Sequence, residues 1–81
     1  MTARLQPGVH QVEASGGSIL LDERRGAYYQ LNETATRMLA LLFQGSPETV
    51  IVEKLVRVYD AEPHELARDL GELVRLCDPW S

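Results

Sequence analysis

The stretch GAYYQLNETATRML, residues 26–39, changes its hydrophobic period partway along, and this change constrains the fold more than any other feature. Its first six residues are typical of a β-strand. The rest carries apolar residues at helical spacing. Asn32 stands at the junction, where its side-chain oxygen can accept a backbone N–H of the first helical turn. The chain therefore contains a strand that passes into a helix with almost no loop between them.

Two further strands are predicted before this junction. VHQVEA, residues 9–14, alternates in part between apolar and polar, and SILLD, residues 18–22, is a short apolar run bounded by turn residues. Glycine-containing segments, SGG and ERRG, separate these strands from each other and from AYYQL, residues 27–31. The three strands are expected to form an antiparallel meander.

Three amphipathic helices are predicted after the strands. The first helix ends near Gly45. The second begins with Ser46 as N-cap and Pro47 at the first helical position, and it runs to about Tyr59. The third helix follows Pro63. Their apolar stripes are, in turn, Ala35, Met38, Leu39, Leu42 and Phe43; Ile51, Leu55, Val58 and Tyr59; and Leu66, Leu70, Leu73, Val74 and Cys77. The expected fold is α+β, a three-stranded antiparallel sheet followed by three helices, compatible with a winged-helix-like arrangement. Residues 9–78 form the domain, flanked by tails at 1–8 and 79–81.

Length and charge restrict the function. An 81-residue chain builds one modest core, and its net charge of −4 disfavours nucleic acid, whose affinity comes largely from Lys and Arg on phosphates. The chain has neither an apolar run of membrane-spanning length nor the apolar region of a signal peptide at its start, so we expect a cytoplasmic protein with no membrane span.

Catalytic chemistry finds little support in the residues. The two histidines, His10 and His64, are far apart and make no metal-site spacing, and the single cysteine, Cys77, lies on an apolar stripe. There is no phosphate-binding glycine loop. We therefore expect no enzyme activity, no metal and no cofactor. The third helix has one more carboxylate than arginines, which argues against a DNA-recognition helix.

A peptide-binding function fits the predicted sheet better. An edge strand presents unpaired backbone groups, and another chain can add to it as a strand. If Leu31 faces the core, Ala27 and Tyr29 share its face, whereas Tyr28 and Gln30 point away. Tyr28 can then mark a docking strand or merely shield the outer face of the sheet, and the residues alone leave both interpretations open.

The segments SILLDERRGAYYQLNETATRMLALL, residues 18–42, and YDAEPHELARDLGELVRLC, residues 59–77, resemble PqqD-like proteins, the peptide-recognition domains of pathways that modify ribosomally made peptides. The similarity lies in an apolar strand ending in Asp, a polar turn with Gly, aromatic residues, and Leu-Asn opening a helix. The similarity also includes a Tyr-Asp pair, residues 59–60, before a helix that begins with Pro63. One departure is Glu62, which stands where the family usually has Asp or Ser as the cap of the third helix.

The resemblance implies a winged-helix-like fold that binds the leader region of a precursor peptide beside the third strand, in a groove walled by the third helix. Carried onto this chain, the peptide-binding residues are Ala27, Tyr28, Tyr29, Gln30 and Leu31 on the strand, and Leu66, Arg68, Asp69, Leu70, Leu73 and Val74 on the helix. Positions 66, 69, 70 and 73 share one helical face, in agreement with this assignment.

The resemblance also implies a partner. Such domains occur fused to enzymes or free-standing, and this chain is expected to be free-standing and to deliver its peptide to a separate maturation enzyme. It is most similar to the free-standing members of lasso-peptide pathways, whose partner is a leader-removing cysteine protease. The alternatives are a leader-binding partner in a pyrroloquinoline-quinone pathway or another radical-enzyme pathway, and a small winged-helix regulator that binds DNA.

Overall fold

The computed structural model describes residues 2–80, and within them strands come first, helices next and a short strand last. The elements are β1 (Thr2–Leu5), β2 (Val9–Ala14), β3 (Gly17–Asp22), β4 (Ala27–Asn32), α1 (Glu33–Phe43), α2 (Glu48–Tyr59), α3 (Pro63–Arg75) and β5 (Cys77–Trp80). The predicted α+β class, with a three-stranded antiparallel sheet followed by three helices, is confirmed.

The central sheet has the order β2-β3-β4, and both pairings are antiparallel. Each turn between its strands contains a glycine with positive φ, 76° at Gly16 and 63° at Gly26, a conformation that other residues rarely adopt. The glycine signals in the sequence therefore placed both hairpins correctly.

The strand register shows which face of the sheet carries the core. Buried Leu20 of β3 lies opposite Tyr29 of β4, and buried Ser18 lies opposite Leu31. Paired residues project to the same side of a sheet, so Tyr29 and Leu31 are on the inner face, toward the helices. Exposed Leu21 and Tyr28 are paired on the outer face.

The two ends of the domain correct the predicted tails. Residues 2–5 form β1 rather than part of a loose tail, and they pair antiparallel with β5, Leu5 opposite Cys77. The Gln6 backbone N–H extends this contact by donating to the Leu76 carbonyl at 2.9 Å. The predicted tail at 79–81 likewise overlaps β5, while residues 1 and 81 lie outside the described part of the chain.

The core lies between the inner face of the sheet and the three helices. Its most deeply buried apolar side chains are Leu20, Met38, Leu39, Ile51, Leu55 and Leu70. Val58 was predicted to belong to the apolar stripe of α2, and this prediction is wrong because its side chain is 66% exposed. Cys77 is buried as predicted, but it lies on β5 beyond the end of α3.

The helix boundaries follow from local hydrogen bonds. Asn32 caps α1, its Oδ1 accepting the Ala35 backbone N–H at 2.8 Å. Gly45, with φ of 86°, ends α1, and the Ser46 N–H donates to the Leu41 carbonyl at 3.1 Å in the hydrogen-bond pattern of a Schellman motif. Ser46 thus belongs to the end of α1, and the predicted Ser46 N-cap of α2 is wrong.

The N-cap of α2 is Pro47, which makes no side-chain capping bond. Glu62 does cap α3, since its carboxylate accepts the Glu65 backbone N–H at 2.9 Å, and this bond lowers the pKa of Glu62. The departure from the usual cap residue therefore leaves the start of α3 intact. In the described part of the chain, none of the helices has the length and apolar character needed to cross a membrane.

Candidate functional site

A groove of about 850 Å³ separates β4 from α3. The hairpin turn between β3 and β4 closes one end, and the first turn of α1 contributes to the lining. The lining residues are Gln6, Arg24, Arg25, Tyr28, Tyr29, Gln30, Leu31, Asn32, Ala35, Asp69, Glu72, Leu73, Arg75 and Leu76.

One long side of the groove is the free edge of β4. Within residues 2–80, β4 is hydrogen-bonded to β3 and to no other strand. The backbone groups on its other side therefore remain available to a further strand. Because β4 is a six-residue strand, its edge is long enough to pair with a short extended peptide.

The side chains of β4 alternate around this edge. Leu31 is half-buried and packs against the core, as its predicted inward orientation requires. Tyr29 shares that face but is 36% exposed, so it lines the groove and is not part of the buried core. Tyr28 is 70% exposed and, with Gln30, borders the groove from the outer side.

Not every predicted β4 residue lines the groove. Ala27 lies at the start of the strand, opposite the buried Asp22. The Ala27 side chain is half-buried and does not line the groove. The contact predicted for Ala27 is made by its backbone, so its position outside the groove wall leaves that prediction unchanged.

The α3 wall is rotated relative to the predicted one. Asp69 and Leu73 line the groove, whereas Leu66 and Leu70 are 3% and 1% exposed and belong to the core. Of the other predicted positions, Arg68 projects into solvent and Val74 is half-buried against the core; neither reaches the groove. The wall follows positions 69, 72, 73 and 76, an i, i+3, i+4, i+7 face that meets the core face at Leu73, and Arg75 borders it at the C-terminal end of the helix.

The end of the groove near the β3–β4 turn is fixed by a polar network that the sequence did not indicate. The Arg24 guanidinium donates to both carboxylate oxygens of buried Asp22, Nε to Oδ1 at 3.0 Å and Nη2 to Oδ2 at 3.1 Å. It also donates to Oε1 of Gln6, whose own amide donates to the Arg75 carbonyl at 3.1 Å. The network joins the β3–β4 turn to the end of α3.

These contacts also set the ionisation of the network. Hydrogen bonding to Arg24 holds the pKa of Asp22 below its ordinary value, against the opposing effect of desolvation. The same bonds raise the pKa of Arg24. Asp22 is therefore ionised at neutral pH, and the guanidinium of Arg24 donates through Nε and Nη2 to its carboxylate.

The sequence matches the model of one protein family, coenzyme PQQ synthesis protein D (PqqD), over residues 17–77. This match covers more than half of the chain, including β3, β4 and all three helices. The chain belongs to the PqqD family.

Two solved structures resemble this PqqD-family chain over nearly its full length. One is described as lasso peptide synthetase B1 complexed with the leader peptide, with 29% identity, a TM-score of 0.73, and 98% of this chain and 100% of that chain covered. The other is TbiB1 in complex with the TbiA(beta) leader peptide, with 22% identity, a TM-score of 0.67, and coverage of 100% and 99%. No curated protein matches the sequence.

The PqqD-family chain places few reactive groups near its groove. Burial raises the pKa of the Cys77 thiol, which keeps it protonated and weakly nucleophilic at neutral pH. His10 lies on the far side of the sheet from α3, with Nε2 3.3 Å from Oε1 of Glu23. Among the described residues, no three His, Cys, Asp or Glu side chains are grouped to hold a metal ion.

Proposed function

We propose that this chain binds the leader region of a ribosomally made precursor peptide as an added β-strand along β4. The observation that carries the proposal is the free edge of β4 facing a groove whose opposite wall is α3. Strand addition suits this geometry, because backbone bonds supply affinity and the pockets between edge and helix select side chains. PqqD-family membership supports it, as does the solved 29%-identical structure that is described with a leader peptide bound.

The groove offers an added strand both apolar and polar contacts. Tyr29 and Leu31 present partly exposed apolar surface toward the space beside the edge, and the nearly buried Leu73 forms the floor below them. Asp69 and Gln30 present polar groups. Partly exposed aromatic and aliphatic side chains gain free energy when a ligand covers them. A peptide with apolar side chains on its inward face is therefore the ligand that the groove accommodates best.

The proposal includes a non-catalytic adaptor role. Binding by strand addition breaks no bond of the peptide, and the groups lining the groove include no activated nucleophile. An adaptor acts by raising the local concentration of its peptide at an enzyme that it also contacts. The partner we propose is a separate maturation enzyme, the leader-removing cysteine protease of a lasso-peptide pathway.

Binding of labelled leaders to the purified protein tests the function. Fluorescein-labelled leaders of lasso-peptide precursors and of pyrroloquinoline-quinone precursors are titrated by anisotropy, and we expect a lasso leader to bind with a Kd below about 100 μM. Preference for a pyrroloquinoline-quinone leader would reassign the pathway. Absence of binding to every leader at that concentration would reject the function.

A pair of variants locates the binding. Tyr29→Ala removes groove surface from the inner face of β4, so leader affinity should fall. Val50→Ala removes a side chain that is exposed on α2, away from the groove, and should leave affinity unchanged. Equal effects of the two substitutions would place the peptide elsewhere. A duplex-DNA titration at low and high salt distinguishes a regulator, which would show a steep salt dependence.

A further inference from the structure

The charged side chains around the β4–α3 groove are separated by sign along its length. Arginines occupy the end that adjoins the β3–β4 turn, and carboxylates lie farther along α3. From this layout we infer that the bound leader carries an acidic and a basic side chain on its inward face, in a fixed order. The inference rests on the proposed leader-binding function and specifies which leaders the groove selects.

The basic end is located by hydrogen bonds that join distant parts of the chain. Gln6 accepts from Arg24 and donates to the Arg75 carbonyl, so the β3–β4 turn and the C-terminal end of α3 lie side by side. Arg25 is on the same turn, and Arg25 and Arg75 both line the groove. Three arginines thus line the groove at this end.

Two of these three charges remain available to a ligand. Arg24 is bonded to the buried Asp22 carboxylate, which offsets its charge. Among residues 2–80, the side chains of Arg25 and Arg75 form no ion pair. Both are exposed, so each can approach a carboxylate of a bound peptide without a large desolvation cost.

The acidic part of the wall begins one turn before Arg75. Glu72 and Asp69 line the groove at three and six positions before Arg75 in the sequence, on the same wall of α3. With a rise of about 1.5 Å per residue, Asp69 lies about 9 Å along the helix axis from Arg75. Asp69 is only loosely engaged, its Oδ1 lying 3.8 Å from Nε of the solvent-exposed Arg68.

This distance sets the spacing of the charges in the peptide. An extended strand advances about 3.3 Å per residue, and its side chains return to the same face every second residue. Side chains two residues apart are separated by about 6.6 Å and side chains four residues apart by about 13 Å, so a separation near 9 Å is closer to the two-residue spacing. The selected leader therefore has a carboxylate near the turn and, two residues away toward the Asp69 end, a cationic side chain.

Two peptides of identical composition test the order. Both derive from the leader bound in the solved lasso peptide synthetase B1 complex. One carries Glu and Arg two residues apart, and the other has these two exchanged. Each is made in two registers offset by one residue, so that in one register both charges face α3. We expect one order to bind about three- to tenfold more tightly, in line with two partly exposed ion pairs, and the difference to shrink at high salt.

A variant in which the charges lining the groove are reversed in sign supplies the decisive comparison. A variant combining Arg25→Glu, Arg75→Glu, Asp69→Lys and Glu72→Lys should prefer the other order. If that variant does not fold, Arg25→Gln and Glu72→Gln, which change exposed side chains alone, should each reduce the preference of the parent protein. Equal affinity for the two orders, or a preference that none of these substitutions changes, overturns the inference.

The same titrations separate failure of the inference from failure of the function. If both orders and the unmodified leader bind equally well, the chain binds leaders without reading their charge order. If none of them binds, and the wider set of leaders described above also fails, the proposed function itself is rejected.

Discussion

The carboxylate of Asp22 accepts two hydrogen bonds from the guanidinium of Arg24, at 3.0 and 3.1 Å, although its side chain is shielded from solvent. The Arg24 backbone N–H adds a third bond to Oδ1, at 3.1 Å. Asp22 ends β3 and Arg24 lies in the turn that leads to β4, so the pair fixes the conformation of this turn.

The substitution Asp22→Asn should lower stability in a pH-dependent manner. The pKa of Asp22 is lowered in the folded state from an ordinary 3.8. The ionised carboxylate therefore contributes its full stabilisation above pH 3.8, and this contribution is lost as the pH falls through the folded pKa. Urea unfolding should therefore show a clear loss for the variant at pH 7 and a shrinking difference from the parent below pH 3.8.

Glu23→Gln provides the matched control for this experiment. Glu23 is the next residue, and its carboxylate is exposed and contacts only His10 among the described ion pairs. Its substitution should change the urea midpoint little at any pH. A pH-independent loss for Asp22→Asn would show that the carboxylate acts by packing and not by its charge.

The sequence was sufficient for the elements whose signals are local. Asn32 and Gly45 mark the bounds of α1 through hydrogen bonds within a few residues, and the glycines at 16 and 26 mark the hairpins. Strands β1 and β5 could not be found in this way. Each has four residues, and their pairing joins positions such as Leu5 and Cys77 at opposite ends of the chain.

The groove shows a different limit of sequence patterns. Spacing placed Asp69 and Leu73 on one face of α3 together with positions 66 and 70, and it could not tell which of these side chains point to the core. Both faces have the same period and share Leu73. The choice depends on where α1 and the sheet contact the helix, which is a property of the tertiary structure.

Leu70→Ala should reveal a core position and not a binding position. Leu70 is 1% exposed, and removal of a buried leucine side chain costs about 2–5 kcal/mol through lost burial and the cavity that remains. Val58→Ala is the control, because the valine is 66% exposed and its loss should change the free energy of unfolding by less than about 0.5 kcal/mol. Urea unfolding of both variants measures the two changes in the free energy of unfolding. Similar small changes would mean that Leu70 belongs to the groove wall and not to the core.

Two glycines should respond in opposite directions to alanine. A Cβ on Gly17 would lie 1.9 Å from the Leu31 carbonyl oxygen, so Gly17→Ala must displace β3 from β4 and should cost about 1–3 kcal/mol. A Cβ on Gly71, within α3, meets no atom within 4 Å, so Gly71→Ala should stabilise by about 0.4–1 kcal/mol through helix propensity and unfolded-state entropy. Thermal unfolding distinguishes them, and destabilisation by Gly71→Ala would contradict the described environment of α3.

Peptide affinity should follow the same distinction. Because the Gly17 clash falls on the backbone of β4 at Leu31, Gly17→Ala should also weaken leader binding at temperatures where the variant remains folded. Gly71 does not line the groove, so Gly71→Ala should leave the leader Kd unchanged. Unchanged binding by folded Gly17→Ala would mean that the docking edge does not extend to Leu31.

Backbone methylation of the leader tests strand addition directly. In an antiparallel or parallel edge pairing, the N–H groups of a strand point alternately toward and away from its neighbour. A series of leader peptides, each N-methylated at one successive residue, should therefore lose about tenfold in affinity at every second position and little between, because only alternate N–H groups bond to β4. Anisotropy titration gives the pattern, with the unmethylated leader as reference. A leader held as a helix, or by side chains alone, would show no two-residue period, and the free edge of β4 would then have no part in its binding.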